Sequence, residues 1–204
     1  MNVDNEQFFY KFALCNIIFS KMKQTIILFI TAVLFTLCSQ SANAQKRNKP
    51  YEDIEPLPHK VENLNLMDLN NKPCTLPYFG EKNLLIFYVD PDKHKQNDAF
   101  VRDMEETGKA AGDNIVGFGI IDLKNTLFPN SIVRALARWR TEKNKATIIT
   151  DPQCIVAKEW GLGDCNNKFT IMLVSKEGEL VFFRKGEFTE EDQAAFYDII
   201  DNYR

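Results

Sequence analysis

Asp90-Pro91-Asp92-Lys93-His94-Lys95 follows the apolar run Leu84–Val89 and gathers two carboxylates, one imidazole and two ammonium groups into six residues. Such groups can hold a divalent cation, supply a nucleophile or move a proton. His94 is one of two histidines in the 204 residues, the other being His59. Two aspartates and a histidine with no second cluster read as a solvated loop rather than a metal centre, so no metal and no other cofactor is expected. Thiols are the second reactive set. Beyond the first 44 residues, which read as a leader, the cysteines are Cys74, Cys154 and Cys165. An odd count forbids pairing all of them within one chain. Cys154 and Cys165 are open to three readings: a structural disulfide, two separate thiols, or a working redox pair. Cys74 falls in a predicted hairpin and reads as a small apolar residue. The candidate binding residues are therefore Asp90, Asp92, Lys93 and His94, and the candidate catalytic residues are Cys154 and Cys165.

These groups need elements to position them. Leu84–Val89 (LLIFYV) has the continuous apolar character of a strand covered on both faces. Before it, Lys60–Leu69 alternates through Val61, Leu64, Leu66 and Leu69, Asn70-Asn71-Lys72 signals a turn, and Cys74–Phe79 resumes the extended pattern, which predicts a hairpin. Phe100, Val101, Met104 and Ala111 lie at helical spacing in Gln96–Ala111, with Gly112-Asp113-Asn114 as the stop and Ile115–Ile121 as the next strand. Ser131–Lys143 reads as a basic amphipathic helix with Ile132, Ala135, Leu136 and Trp139 on one face. Trp139 and Trp160 read as core anchors, and Arg134, Arg138, Arg140 and Lys143 as a solvated face. Ala146–Ile149 is a short strand, and Asp151-Pro152 opens a short helix ending at Trp160-Gly161. Phe169–Val174 and Leu180–Phe183 are strands joined by the turn Ser175–Gly178. The last helix starts at Thr189, an N-cap followed by Glu190, Glu191 and Asp192, and turns Phe196, Ile199, Ile200 and Tyr203 inward. Strands alternating with helices, closed by a hairpin and a helix, predict an α/β domain with a mixed sheet.

The N-terminal region predicts export. Lys21 and Lys23 precede the apolar run Thr25–Leu37, and Ala42-Asn43-Ala44 offers the small residues a signal peptidase needs, with the cut between Ala44 and Gln45. That run of 13 residues is too short to span the ~30 Å hydrocarbon core. The organisation read from this is an extension over 1–21 upstream of a start at Met22, a signal peptide over 22–44, a flexible tail over 45–58 and a domain over 59–204. Lipid attachment at Cys38 is disfavoured by the bulky Leu37 before it. The mature protein is expected in the periplasm or outside the cell, and not embedded in a membrane. Its 22 basic against 26 acidic residues leave no electrostatic footprint for nucleic acid.

The order of elements resembles the larger version of the thioredoxin fold, shared by secreted TlpA-like reductases and peroxiredoxins. Leu64–Leu76 (LNLMDLNNKPCTL) resembles the opening hairpin of that group, Thr150–Leu162 (TDPQCIVAKEWGL) its mid-domain segment, and Leu173–Leu180 (LVSKEGEL) its late hairpin. From about Phe118 onward the chain is similar to the YtfJ family of small periplasmic proteins, best over Phe128–Leu162 and again where Lys185-Gly186 precedes Thr189-Glu190-Glu191. The resemblance implies a three-layer α/β sandwich with a central mixed sheet, an N-terminal β-hairpin and a C-terminal helix. It also implies that the standard redox mechanism is missing. A thioredoxin-type enzyme needs a thiol directly after the first central strand, where a helix N-terminus lowers its pKa. Asp90–Lys95 stands there instead, and Phe169 stands where a cis-proline would face the site.

The expected function is therefore binding, of a peptide, another envelope protein or a small ligand, at the end built from Asp90–Lys95, Asp122–Pro129 and Gly161–Lys168. A divergent thiol-disulfide oxidoreductase or peroxidase using Cys154 and Cys165 is the alternative. A remoter one is a Mg-dependent phosphatase. Phe87–Asp92 (FYVDPD) resembles the nucleophile strand of haloacid-dehalogenase enzymes, with Asp90 attacking phosphorus, Asp92 as acid and base, and Gly163-Asp164 as the late metal motif. The context opposes it, because that late motif should follow a strand and open a helix, whereas a strand follows it here.

Overall fold

The computed structural model describes residues 55–144 and 146–204. The predicted leader, the start at Met22 and most of the tail lie outside the described residues. The chain runs through β1 (His59–Lys60), β2 (Asn65–Met67), β3 (Pro73–Thr75) and β4 (Asn83–Val89) to a 3₁₀ turn at Pro91–Lys93. Next come α1 (Asp98–Thr107), β5 (Ile115–Asp122), α2 (Asn130–Asn144), β6 (Ile148–Asp151) and α3 (Ile155–Glu159). The strands β7 (Phe169–Val174) and β8 (Glu179–Lys185) and the helix α4 (Glu190–Ile200) complete it. These strands form one sheet in the order β1-β8-β7-β4-β5-β6-β2-β3. Its centre is the parallel set β4, β5 and β6, and β7 runs antiparallel to β4.

Alternation along β4 divides the core into two layers. Leu84, Ile86 and Tyr88 point to one side and pack with Trp160, Val156, Leu162 and Met172. Leu85 points to the other, among Phe100 and Met104 of α1 and Phe196 and Ile200 of α4. Rings dominate this second layer: Phe196 makes edge contacts with Phe100 and Phe182 at centroid distances of 5.5 and 5.7 Å. Among the described residues no helix is long and apolar enough to cross a membrane.

Three expectations need correction. The predicted strand Lys60–Leu69 is divided between opposite edges of the sheet. β1 pairs with β8 (His59 opposite Leu180), whereas β2 pairs with β3 (Met67 opposite Pro73). Val61, Leu64, Leu66 and Leu69 are all buried, so the apolar alternation marks burial along a crossing segment and not one strand. α1 stops earlier than Gly112: Gly108 takes the left-handed conformation (φ 64°) and its N–H caps the carbonyl of Met104. Gly112 has another task, because a Cβ there would lie 2.5 Å from the carbonyl carbon of Arg204. Finally, α2 is turned over relative to the predicted face. Val133 and Ala137 are buried, while Ile132, Leu136 and Trp139 are 50 %, 62 % and 60 % exposed. Trp160 is a core anchor and Trp139 is not.

Candidate functional site

The three central parallel strands deliver a buried aspartate each to the same end of the sheet. Asp90 follows β4, Asp122 ends β5 and Asp151 ends β6, and none is more than 1 % exposed. Asp122 and Asp151 are partners in register. Each side chain accepts the backbone N–H two residues on: Asp92 at 2.9 Å, Lys124 at 2.9 Å and Gln153 at 3.1 Å respectively. This is the local turn that aspartate forms as a strand gives way to a loop.

Each carboxylate then reaches further. Asp90 accepts the N–H of Asn167 at 2.8 Å on its second oxygen, tying the Gly161–Lys168 loop to the end of β4. Asp92 accepts the N–H of Leu127 at 3.2 Å, tying down the loop after β5. The three segments expected at this end are thus held together by two aspartates. Both Asp90 oxygens serve backbone amides, and at 1 % exposure the carboxylate does not face a substrate. That is the arrangement of an anchor and not of a phosphoryl nucleophile. Lys93 and His94 are exposed, and His94 Nδ1 donates to the carbonyl of Pro91 at 2.8 Å. Among the described residues no group of three or more His, Cys, Asp and Glu is arranged to hold a metal ion.

Asp151 shapes the thiol region. It accepts N–H groups from Gln153, Ile155 and Val156, on both sides of Cys154, and the Tyr88 hydroxyl donates to it at 3.4 Å. These bonds hold Cys154 in the left-handed region (φ 54°), where a non-glycine residue is strained by about 1–3 kcal/mol. Its Sγ is thereby directed at the Asp122 carboxylate, 3.3 and 3.4 Å from the two oxygens. The Asn125 amide donates to both Asp122 (3.2 Å) and Cys154 Sγ (3.3 Å).

Cys154, Asp122 and Asn125 line a cleft of about 480 Å³ together with Lys124, Lys158, Asp164 and Cys165. Its far wall is the Gly161–Lys168 loop, held by Lys185 Nζ on the carbonyl of Leu162 and by Lys168 Nζ on that of Asp164, at 2.8 and 2.7 Å. Cys74, Cys154 and Cys165 are free thiols, Cys154 and Cys165 buried and Cys74 half-buried. Burial, then the negative charge of Asp122 and the bond donated to it, pushes Cys154 up to about 12. Burial raises Cys165 as well, against the opposing pull of Lys185 and Lys168. Burial, then the charges of Asp122 and Asp151, hold Tyr88 far above its ordinary range. At neutral pH these groups are neutral, and a protonated thiol is a weak nucleophile.

The cleft thus joins two expected residues, Cys154 and Cys165, to Asp122, Lys124 and Asn125 of the expected Asp122–Pro129 segment, and to Lys158, which lies outside the expected segments. Asp90, Asp92, Lys93 and His94 belong to the neighbouring loop and do not line it. The signal for Asp122 lies in the text: IIDLKN repeats the apolar-run-then-aspartate pattern of YVDPD and IITDPQ.

No protein-family profile matches the chain, and no curated protein matches it in sequence. Solved structures do match. The pneumococcal exposed lipoprotein thioredoxin (Etrx1) of Streptococcus pneumoniae strain TIGR4 is 18 % identical with a TM-score of 0.50, over 69 % of this chain and 99 % of that one. A peroxiredoxin-like protein of Aquifex aeolicus has a TM-score of 0.50 at 8 % identity, over 74 % of this chain and 91 % of that one. A hypothetical protein of Sinorhizobium meliloti 1021 has a TM-score of 0.50 at 19 % identity, over 73 % and 84 %. At these identities the likeness is one of fold, and with the strand order above it makes this chain a thioredoxin-like α/β protein with a central mixed sheet.

Proposed function

We propose that this chain is an exported thioredoxin-like protein of the YtfJ-like kind that binds a peptide, an envelope protein or a small polar ligand without thioredoxin-type thiol catalysis. The observation that carries this reading is Asp90. It stands directly after β4, where an attacking thiol would be expected, and its two oxygens are given to the N–H groups of Asp92 and Asn167. The adjoining cleft suits a polar ligand, since Lys124, Lys158, Asp122 and Asp164 all line it. Raised thiol pKa values at Cys154 and Cys165 argue in the same direction.

A second reading rests on one specific observation: both buried thiols line one cleft. In that reading they cycle between dithiol and disulfide. Insulin reduction and peroxide consumption by the purified protein, beside Cys154→Ser and Cys165→Ser variants, separate the two. No turnover above buffer is expected. Turnover that either variant abolishes would overturn the binding reading in favour of a thiol-dependent enzyme.

A further inference from the structure

His59 is held in a way that a neutral imidazole cannot satisfy. It is one of two histidines in the chain, and its side chain is 9 % exposed whereas His94 is open to solvent. Nδ1 lies 3.1 Å from the carbonyl oxygen of Pro56, and Nε2 lies 3.1 Å from that of Trp160. A carbonyl oxygen only accepts, so each contact requires an N–H on the ring. The neutral ring has one N–H and one lone pair, so it satisfies one carbonyl and turns the lone pair on the other. The imidazolium satisfies both. The Trp160 contact is part-buried, so water replaces it poorly.

The two carbonyls belong to separate parts of the molecule. Pro56 lies in the segment that leads into β1, and Trp160 ends α3 beside the cleft. Trp160 is a fixed point: it is 1 % exposed, and its Nε1 donates to the carbonyl of Glu62 at 3.1 Å. The Glu55 N–H donates to the carbonyl of Gly161 at 3.3 Å, and a Cβ on Gly161 would lie 3.0 Å from the Glu55 Cβ. Gly161 lines the cleft, so residues 55–58 are laid against one of its walls. The charged group that faces the ring is Glu55, with Oε2 3.8 Å from Nε2 and a side chain 57 % exposed. From α3 the ring meets the Trp160 carbonyl, and on β8 the apolar Leu180 stands opposite His59. Lys60 and Glu179, next along that pair, bond to each other at 3.3 Å. A long, half-exposed ion pair with Glu55 is weak, so the two carbonyls decide which form of the ring fits.

We propose that His59 is a pH-operated latch: doubly protonated, it clamps residues 55–58 to the cleft wall at Trp160-Gly161, and neutral, it lets that segment loosen. Pro56, His59 and Trp160 are linked in series, so loss of the proton from either nitrogen to solvent breaks the link. Histidine is the side chain whose charge changes between about pH 5 and 8, which places the switch in that range. The latch acts on the wall whatever the cleft holds, so it stands apart from the proposed binding function.

Hydrogen exchange of the full chain tests it at pH 5.5 and pH 8, with rates corrected for the intrinsic effect of pH. The peptide over residues 55–61 reports the latch, and that over 73–76, at the opposite edge of the sheet, is the internal reference. The expected result is that 55–61 exchanges about three- to ten-fold faster at pH 8, while the reference does not change. His59→Gln, which cannot titrate, should exchange at one corrected rate at both pH values. His94→Gln should keep the wild-type difference, and circular dichroism checks that both variants fold. Ring-nitrogen magnetic resonance of the wild-type protein should find an N–H on both nitrogens of His59 at pH 5.5. A ring with a single N–H at that pH overturns the proposal whether or not the variants fold. So does equal protection of 55–61 at the two pH values, or a loosening that the reference peptide shares. A pH difference that persists in His59→Gln overturns it in favour of Glu55 or another group as the sensor.

Discussion

Aspartate recurs at one structural moment in this chain, immediately after an apolar strand, and the recurrence gives the site end its rigidity. Asp90 accepts one amide on each oxygen, so the isosteric Asp90→Asn replacement sets an amide NH₂ against a backbone N–H. One buried donor is then left unsatisfied, and the expected loss is about 1–3 kcal/mol in urea denaturation, with no change in the slope of the transition. Asp122 acts on chemistry as well as structure. Burial first, then its charge and the bond it accepts, hold the Cys154 proton, whose dissociation lies near 12 against an ordinary thiol value of 9.0. Cys154 in the wild-type protein should therefore resist iodoacetamide at pH 9, where an ordinary exposed thiol reacts. Asp122→Asn should move the labelling profile of Cys154 to lower pH, with Cys154→Ser separating its signal from the other thiols. The sign extends to stability. A proton held more tightly in the folded state stabilises it fully below pH 9, and that contribution is lost as pH rises from 9 toward 12.

The elements differ in how far local chemistry determines them. α4 is fixed by its first turn: Thr189 Oγ1 accepts the N–H of Asp192, and Asp192 accepts the N–H of Thr189 in return. Thr189→Ala should cost about 1 kcal/mol in thermal or chemical unfolding. The Thr189 amide, then Arg184, holds Asp192 below its ordinary 3.8, so the cap is intact above that pH and is lost as pH falls through the lowered value. Such signals are readable in the sequence, and the start of α4 is where Thr189 placed it. The orientation of α2 was not readable. Ile132, Ala135, Leu136 and Trp139 form the stronger apolar stripe, yet among the described side chains of α2 only Val133 and Ala137 are buried. Periodicity identifies a helix and its faces, but it ranks them by hydropathy. Here the inward side is small and is fastened by two arginines to a backbone carbonyl and an asparagine of the β2–β3 turn. Those tertiary hydrogen bonds have no local signature.

At the scale of the whole molecule, the central sheet follows from apolar runs that any buried parallel strand requires, which is why β4, β5 and β7 were legible as strands. Their neighbours across the sheet were less so, because β1 and β2 are separated by four residues in sequence and by five strands in space. The cleft was partly legible for the same reason: its thiols stand out by residue type, whereas Asp122 and Asn125 gain their roles only when β5 and β6 lie side by side. The opposite end of the molecule is closed by a single side chain. Asn83 at the start of β4 donates to the carbonyl of Tyr203 and accepts the N–H of Lys176 at 2.7 Å, joining the first central strand, the β7–β8 turn and the C-terminus. Gly112 lies against the next residue, Arg204, so the tail is held from two sides. Asn83→Ala should therefore destabilise the fold by about 0.5–1.5 kcal/mol, by removing the bonds to the exposed Lys176 amide and the part-buried Tyr203 carbonyl. Deleting Tyr203 and Arg204 removes one of those bonds by another route. If the tail is part of the cooperative unit, the double variant costs less than the two single losses added together, because they share the Asn83–Tyr203 bond. Denaturation of the four proteins in one cycle measures the coupling. Strict additivity would mean that the tail frays independently and that Asn83 stabilises β4 through Lys176 alone.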